Sequence, residues 1–142
     1  MIIKSPLELH TIVVKILVAA GTTPKNASRV ADALVASNLC GVDTHGVFHL
    51  LSYIEQIKGG LLDATASPKI LKETTTTALV DGNWTFGHVA AKYALDIAIQ
   101  KAIENSIAAA YFGRYRVGLV VGLFFLRIIK VGRQTKLLII QI

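Results

Sequence analysis

Residues 34–47 read Leu34-Val-Ala-Ser-Asn-Leu-Cys-Gly-Val-Asp-Thr-His-Gly-Val47, and two kinds of chain meet in them. The first half closes an apolar stripe of helical spacing: Ala27, Val30, Ala31, Leu34, Val35 and Leu39. Thr23-Pro24 opens that stripe, because a threonine can cap and a proline suits the first helical turn. The spacing predicts a helix over 24–40, stopped at Cys40-Gly41. The second half sets a carboxylate, a hydroxyl and an imidazole side by side, Asp43-Thr44-His45, with Gly41 before them and Gly46 after. A third helix is expected to start near Asp43 or Thr44. It runs over 45–58 on the apolar face of Val47, Leu50, Leu51, Ile54 and Ile57, and Gly59-Gly60 ends it.

On the N-terminal side, Ser5-Pro6-Leu7-Glu8 has the form of a capping box. Leu7, His10, Val13, Val14, Leu17 and Val18 then recur at helical spacing, which predicts a helix over 6–20. Three short helices with small connections read as a compact helical unit over 1–62. On the C-terminal side the texture changes. Ile70 to Lys72 and Ala78 to Val80 read as a short β pair within 69–81, with four threonines, Thr74 to Thr77, also β-prone between them. Asp81-Gly82-Asn83 is a turn signal, and a helix is expected over 87–104, with Asn105 in its C-cap region. Ile107 to Ala110 reads as a buried strand. Helices followed by strands and another helix place the fold in the α+β class. From Val117 to Leu126 the chain is apolar with no amphipathic period, and Leu137 to Ile140 is a second apolar run. A bilayer-spanning helix needs ~20 apolar residues, about twice the first run, so no integral membrane span is expected.

Asp43-Thr44-His45-Gly46 admits two readings. Aspartate and threonine are ordinary helix caps, so the segment can be a capped N-terminus and nothing more. Alternatively His45 is an acid/base. Its partner must then come from elsewhere, because adjacent residues on a helix do not face each other. His49 follows His45 by four residues, a spacing that can hold a metal, but Gly46 stands where a His-Glu-x-x-His site needs its glutamate, and no metal is expected. His10 is expected at the core or its boundary, and His88 at the surface or as a cap. Cys40 is expected as a packed thiol, and Trp84 and Phe86 as lids on the core. No Gly-x-Gly-x-x-Gly or Walker-type phosphate loop is present.

The net charge of +6 is not spread over the chain. Residues 1–113 carry nine lysines and arginines against all nine acids, and the excess lies in Arg114, Arg116, Arg127, Lys130, Arg133 and Lys136. An argument from overall basicity to nucleic-acid binding therefore fails for the main body. With apolar residues at 53%, disorder throughout is not expected. The single cysteine excludes an intrachain disulfide and fits a reducing, cytoplasmic setting. Met1-Ile2-Ile3-Lys4 lacks the pattern of a signal peptide.

The segment 34–47, followed by Tyr53-Ile-Glu and Gly59-Gly-Leu-Leu62, resembles the malate/L-lactate dehydrogenase family. Ala78-Leu-Val-Asp-Gly82, Phe86-Gly-His-Val-Ala-Ala91, and Ala98-Ile-Gln-Lys-Ala102 before Ile107-Ala-Ala109 add to the likeness in order and spacing. The resemblance implies an NAD(P)-dependent oxidoreductase that moves a hydride between NAD or NADP and a small 2-hydroxy or 2-keto acid. It implies a non-Rossmann cofactor domain and a homo-oligomer, or pairing with a full-length homologue. Carried over, His45 is the acid/base and Thr44 stands for the family's serine. The family's aspartate has no counterpart within the matching stretch. His49 takes the place of an arginine that would clamp a substrate carboxylate, and is the candidate substrate-binding residue. After Ala110 the likeness fades. Tyr111-Phe-Gly113 keeps a Phe-Gly but puts a tyrosine where the family has a histidine. On this reading residues 63–111 are the start of an incomplete mixed α/β domain and 112–142 a divergent basic and apolar tail. Cofactor-binding residues stay unassigned, and the expected chain is an inactive fragment or a non-catalytic interaction module derived from such an enzyme.

Overall fold

The computed structural model describes residues 4–113, and the backbone of 122–131 and 134–141. Arg114, Arg116, Arg133 and the first half of the apolar run lie outside the described residues. Four helices are present: α1 (Pro6–Ala19), α2 (Pro24–Leu39), α3 (Leu50–Lys58) and α4 (Gly87–Asn105). Five strands, β1 (Lys69–Glu73), β2 (Thr77–Asp81), β3 (Ile107–Gly113), β4 (Gly122–Val131) and β5 (Gln134–Gln141), form one sheet in that order.

The helix starts form as their caps dictate. The Ser5 hydroxyl accepts from the Glu8 N–H, and the Glu8 carboxylate accepts from the Ser5 N–H at 2.9 Å, which completes a capping box. Thr23 caps α2 at the Asn26 N–H. The third helix departs from expectation. Residues 43–49 are not its first turns but two 3₁₀ turns, Asp43–His45 and Val47–His49, broken by extended backbone at Gly46 (φ −87°, ψ −155°). The α-helix starts only at Leu50.

Two apolar cores hold these elements. In the first, Val13 and Leu17 of α1 meet Val30 and Leu34 of α2, with Tyr53 of α3 and a fully buried Phe86. Burying a side chain of that size stabilises by about 1.5–3 kcal/mol. Phe86 thus packs inside the core, as expected, whereas Trp84 is 44% exposed. Trp84 lines a shallow hollow with Gly60 to Asp63 instead of covering the core. The second core is built of alanine. Ala90, Ala94, Ala98 and Ala102 run down one face of α4 onto Ala78 of β2 and Ala108 and Ala110 of β3. Small side chains on both sides let the helix approach the sheet closely.

β1 and β2 pair antiparallel, with a bulge between Ile70 and Lys72. β2 and β3 run parallel, so α4 is the crossover between them. The turn between β1 and β2 is tied to α4. Lys101 donates to the Thr74 carbonyl at 2.6 Å and pairs with Glu73 at 3.0 Å, and Asn105 donates to the Thr75 carbonyl at 3.2 Å. Thr74–Thr76 therefore turn the chain rather than extend a strand, while Thr77 starts β2. Ser106 rather than Asn105 takes the left-handed C-cap position (φ 68°). β3 alternates buried and exposed residues and is longer than the fully buried run expected from Ile107 to Ala110. The chain beyond residue 121, aperiodic in sequence, adds two more strands. β4 lies antiparallel to β3, Ile107 opposite Arg127 and Phe112 opposite Gly122, and β5 lies antiparallel to β4. Among the described residues no helix is long and apolar enough to cross a membrane.

Candidate active site

The loop 40–49 carries most of the chemistry that the sequence singles out, and Asn38 shapes it. From the last turn of α2, its amide oxygen accepts the Val47 N–H at 2.8 Å, and its amide nitrogen donates to Asp43 at 2.6 Å. One side chain thereby pins both ends of the first 3₁₀ turn. Gly46 lies against it: a Cβ there would stand 2.3 Å from the Asn38 oxygen. The glycine is required by this contact rather than by its backbone angles.

This arrangement sets aside the helix-cap geometry for Asp43-Thr44-His45-Gly46. Neither Asp43 nor Thr44 caps a helix; the residue before the first turn is Val42, and no side chain caps it. The Asp43 carboxylate is taken up by Asn38. The Thr44 hydroxyl lies 3.1 Å from Nδ1 of His45. Both residues are exposed. His45 ends a 3₁₀ turn and does not start an α-helix.

His49 and His88 stand around Tyr53. His49 meets the Tyr53 ring edge-on at 4.9 Å, and His88 does so at 6.4 Å. Tyr53 rests in turn on Phe86 at 5.3 Å. Burial pushes the Tyr53 hydroxyl up to about 12, so it stays protonated through the neutral range. Burial is also the main cause that lowers His88, helped by the charges of His49 and His45 when those rings are protonated. His88 was expected at the surface or as a cap. It is instead half-buried, and the residue before α4 is Phe86, which gives no side-chain cap. The block Phe86–Ala91 carries the family likeness but gives His88 no role; only the return of the chain at 86–88 onto α3 brings it to Tyr53. Sequence reasoning had no signal for it.

The other candidates fall away from the site. His10 sits at the core boundary and meets Asp32 at 3.1 Å. Cys40, expected as a packed thiol, is exposed. It ends α2 just before the turn at Gly41, outside the apolar stripe. Among the described residues no group of three His, Cys, Asp or Glu is placed to hold a metal ion. At the Phe112-Gly113 end of β3, among the described residues a Cβ on Gly113 would meet the Tyr111 ring at an ordinary 3.8 Å, so this glycine is not demanded by a close approach there, and Tyr111 is 37% exposed.

The chain is similar to known proteins over most of its length. Among curated proteins, the malate/(S)-sulfolactate dehydrogenase of Methanothermus fervidus is 37% identical over 103 residues, which cover 72% of this chain and 30% of that protein. The malate dehydrogenase of Pyrococcus abyssi is 37% identical over 100 residues, 70% of this chain and 28% of its own length. The chain thus spans about a third or less of these relatives. Among solved structures, malate dehydrogenase from Pyrococcus horikoshii superposes with a TM-score of 0.80 at 20% identity, covering 97% of this chain and 50% of that one. Malate dehydrogenase from Entamoeba histolytica does so with a TM-score of 0.79 at 23% identity, covering 96% and 48%. These two likenesses establish the fold, including the sheet beyond residue 112. The malate/L-lactate dehydrogenase family pattern matches residues 5–130, past the point where the likeness fades to the eye. The chain belongs to the malate/L-lactate dehydrogenase family.

Proposed function

We propose that this chain carries the substrate-side half of a 2-hydroxy-acid oxidoreductase, in which His45 moves the proton that accompanies hydride transfer. The observation that carries the reading is the 3.1 Å contact between Thr44 Oγ1 and His45 Nδ1. In the imidazolium form both ring nitrogens hold protons. Nδ1–H then donates to the Thr44 oxygen, and Nε2–H remains to protonate a substrate carbonyl. In the reverse direction Nε2 takes the hydroxyl proton. His49 is the candidate for the substrate carboxylate. The relatives' names, malate, sulfolactate and hydroxycarboxylate dehydrogenase, support a 2-hydroxy acid as the substrate class. NAD or NADP would supply the hydride. The residues that hold it belong, on this reading, to the portion of the relatives that this chain does not cover. The enzyme would work in the cytoplasm as an oligomer, and the 142 residues alone would be inactive.

The test is cofactor binding followed by activity. The purified chain should give no NAD(P)H fluorescence change at micromolar cofactor and no turnover of oxaloacetate. A chimera that continues after Ala110 with the C-terminal part of the Pyrococcus abyssi protein should gain both. The physical reason is that positioning two reactants supplies ~7–11 kcal/mol of the barrier. Micromolar binding by the chain alone would place the cofactor residues within it and overturn the division.

A second reading is favoured by one observation. Leu39, Phe48 and Leu51, which bracket the His45 loop, are 69%, 81% and 69% exposed. An apolar surface of this kind suits docking, so a non-catalytic module that pairs with a full-length homologue is the alternative. Mass measurement of a mixture with such a homologue separates the two.

A further inference from the structure

Two imidazoles border one tyrosine ring, and only one of them, His49, entered the reading above. His49 and His88 meet Tyr53 edge-on, at 88° and 86° between ring planes. They approach it from different parts of the fold, the second 3₁₀ turn and the start of α4. His45 and His49 are close enough to His88 for their charges to act on it. The charged groups around this cluster are unbalanced. Among the described residues, the four ion pairs involve none of these three histidines. The nearest carboxylate in sequence, Asp43, is bonded to Asn38. Tyr53, deeply buried and held protonated, brings no negative charge. A cluster of like-charged groups with no internal counter-charge is stable in its protonated form only when an anion supplies it. Among the described residues no three His, Cys, Asp or Glu side chains converge on one point. That spread suits a molecule with several acceptor atoms and does not suit a single ion.

We propose that His88 is a substrate-binding residue that acts with His49 to hold the two acidic groups of a dianionic 2-hydroxy or 2-oxo acid, and that this favours dicarboxylates over monocarboxylates. The inference rests on the hydroxy-acid reading above. The dianion meets two imidazolium rings where a monoanion needs only one. Because burial, with the neighbouring imidazoles, lowers His88 in the free chain, binding an anion at its protonated ring takes up a proton and weakens as pH rises past the ordinary imidazole range of about 6.5. The groups that set this dependence are His45 and His49 from the loop, Tyr53 from α3, and His88 itself from α4.

Histidine-ring NMR on the chain as it stands tests this without turnover. L-Malate, L-lactate and inorganic sulfate are titrated separately at about pH 6 and about pH 8, either side of the imidazole range. Malate at the lower pH should shift the His49 and His88 rings together and raise the titration midpoint of His88. Lactate should bind at least several-fold more weakly, and malate binding should fade at the higher pH. His88→Gln, with unchanged circular dichroism, should bind malate about tenfold more weakly, the lower range for losing a hydrogen bond to a charged group. Malate that moves His45 and His49 but leaves His88 still, or binds the Gln variant as tightly as the parent, overturns the role of His88 alone. Lactate binding as tightly as malate overturns the dicarboxylate preference. Sulfate moving all three rings while malate moves none overturns the organic acid as ligand, and with it the hydroxy-acid reading. No ring moving with any probe overturns the anion site.

Discussion

At the scale of single residues, the loop 40–49 is governed by Asn38 and Gly46. Gly46→Ala would drive a Cβ into the Asn38 amide and break its bonds to Val47 and Asp43. The expected cost is about 1–3 kcal/mol, that of leaving such groups without partners, read as a lowered urea midpoint. On the proposed function, the proton transfer falls to His45. In the chimera described above, His45→Asn should lower turnover by ~10²–10⁴, the usual contribution of a positioned acid or base. Cofactor affinity should stay nearly constant. Thr44→Ala should cost less, since the hydroxyl acts only through the ring beside it. Turnover within about threefold of the parent in the His45 variant would refute the assignment. Thr44 and His45 were legible because they are neighbours in the chain, so their contact is local. His88 was not, because Tyr53 lies thirty-five residues away in the chain and no local pattern joins the two.

At the scale of elements, α4 owes its place to small residues. Ala90, Ala94, Ala98 and Ala102 are fully buried against a sheet face in which Ala78, Ala108 and Ala110 join Val80 and Phe112. Ala98→Leu should therefore overpack the interface and destabilise by about 1–3 kcal/mol, measured by denaturant unfolding, although leucine is a good helix former. The end of the same helix offers the opposite change. Ser106 is held at φ 68°, a conformation that costs a residue with a Cβ about 1 kcal/mol. Ser106→Gly should recover a good part of that and raise the midpoint. The helix periods, the caps at Ser5 and Thr23 and the β1–β2 pair were all readable, since each depends on residues close in sequence. The start of the third helix was misjudged for a physical reason. Val47 continues the apolar spacing, but the contact between Asn38 and the Val47 N–H pulls the backbone out of helix at Gly46.

At the scale of the whole molecule, the histidine cluster links stability to pH. Burial and the neighbouring imidazoles lower His88 below its ordinary value in the folded chain, while the unfolded chain restores it to about 6.5. In the window between the two values the unfolded state binds more protons, so stability is full above about pH 6.5 and falls as pH drops toward the lowered value. Thermal unfolding should show a midpoint that declines from about pH 7.5 to pH 5. His88→Gln should flatten that decline. An equal slope in both proteins would mean that other groups carry the effect.

The amino-acid sequence by itself determined the helical unit, the β1–β2 pair, α4, the family likeness and the Thr44–His45 pair. Each of these is written in residues that lie within a few positions of one another, where propensity, caps and periodicity act directly. The tertiary structure alone decided three things. It turned aperiodic chain beyond residue 121 into β4 and β5, because β3 offers an edge whose backbone groups need partners. It placed Phe86 under Tyr53 and so brought His88 to His49, across a separation that no local pattern spans. It also took the segment at 43–46 out of the helix-cap role, because the competing partner for Asp43 is a side chain from the preceding helix.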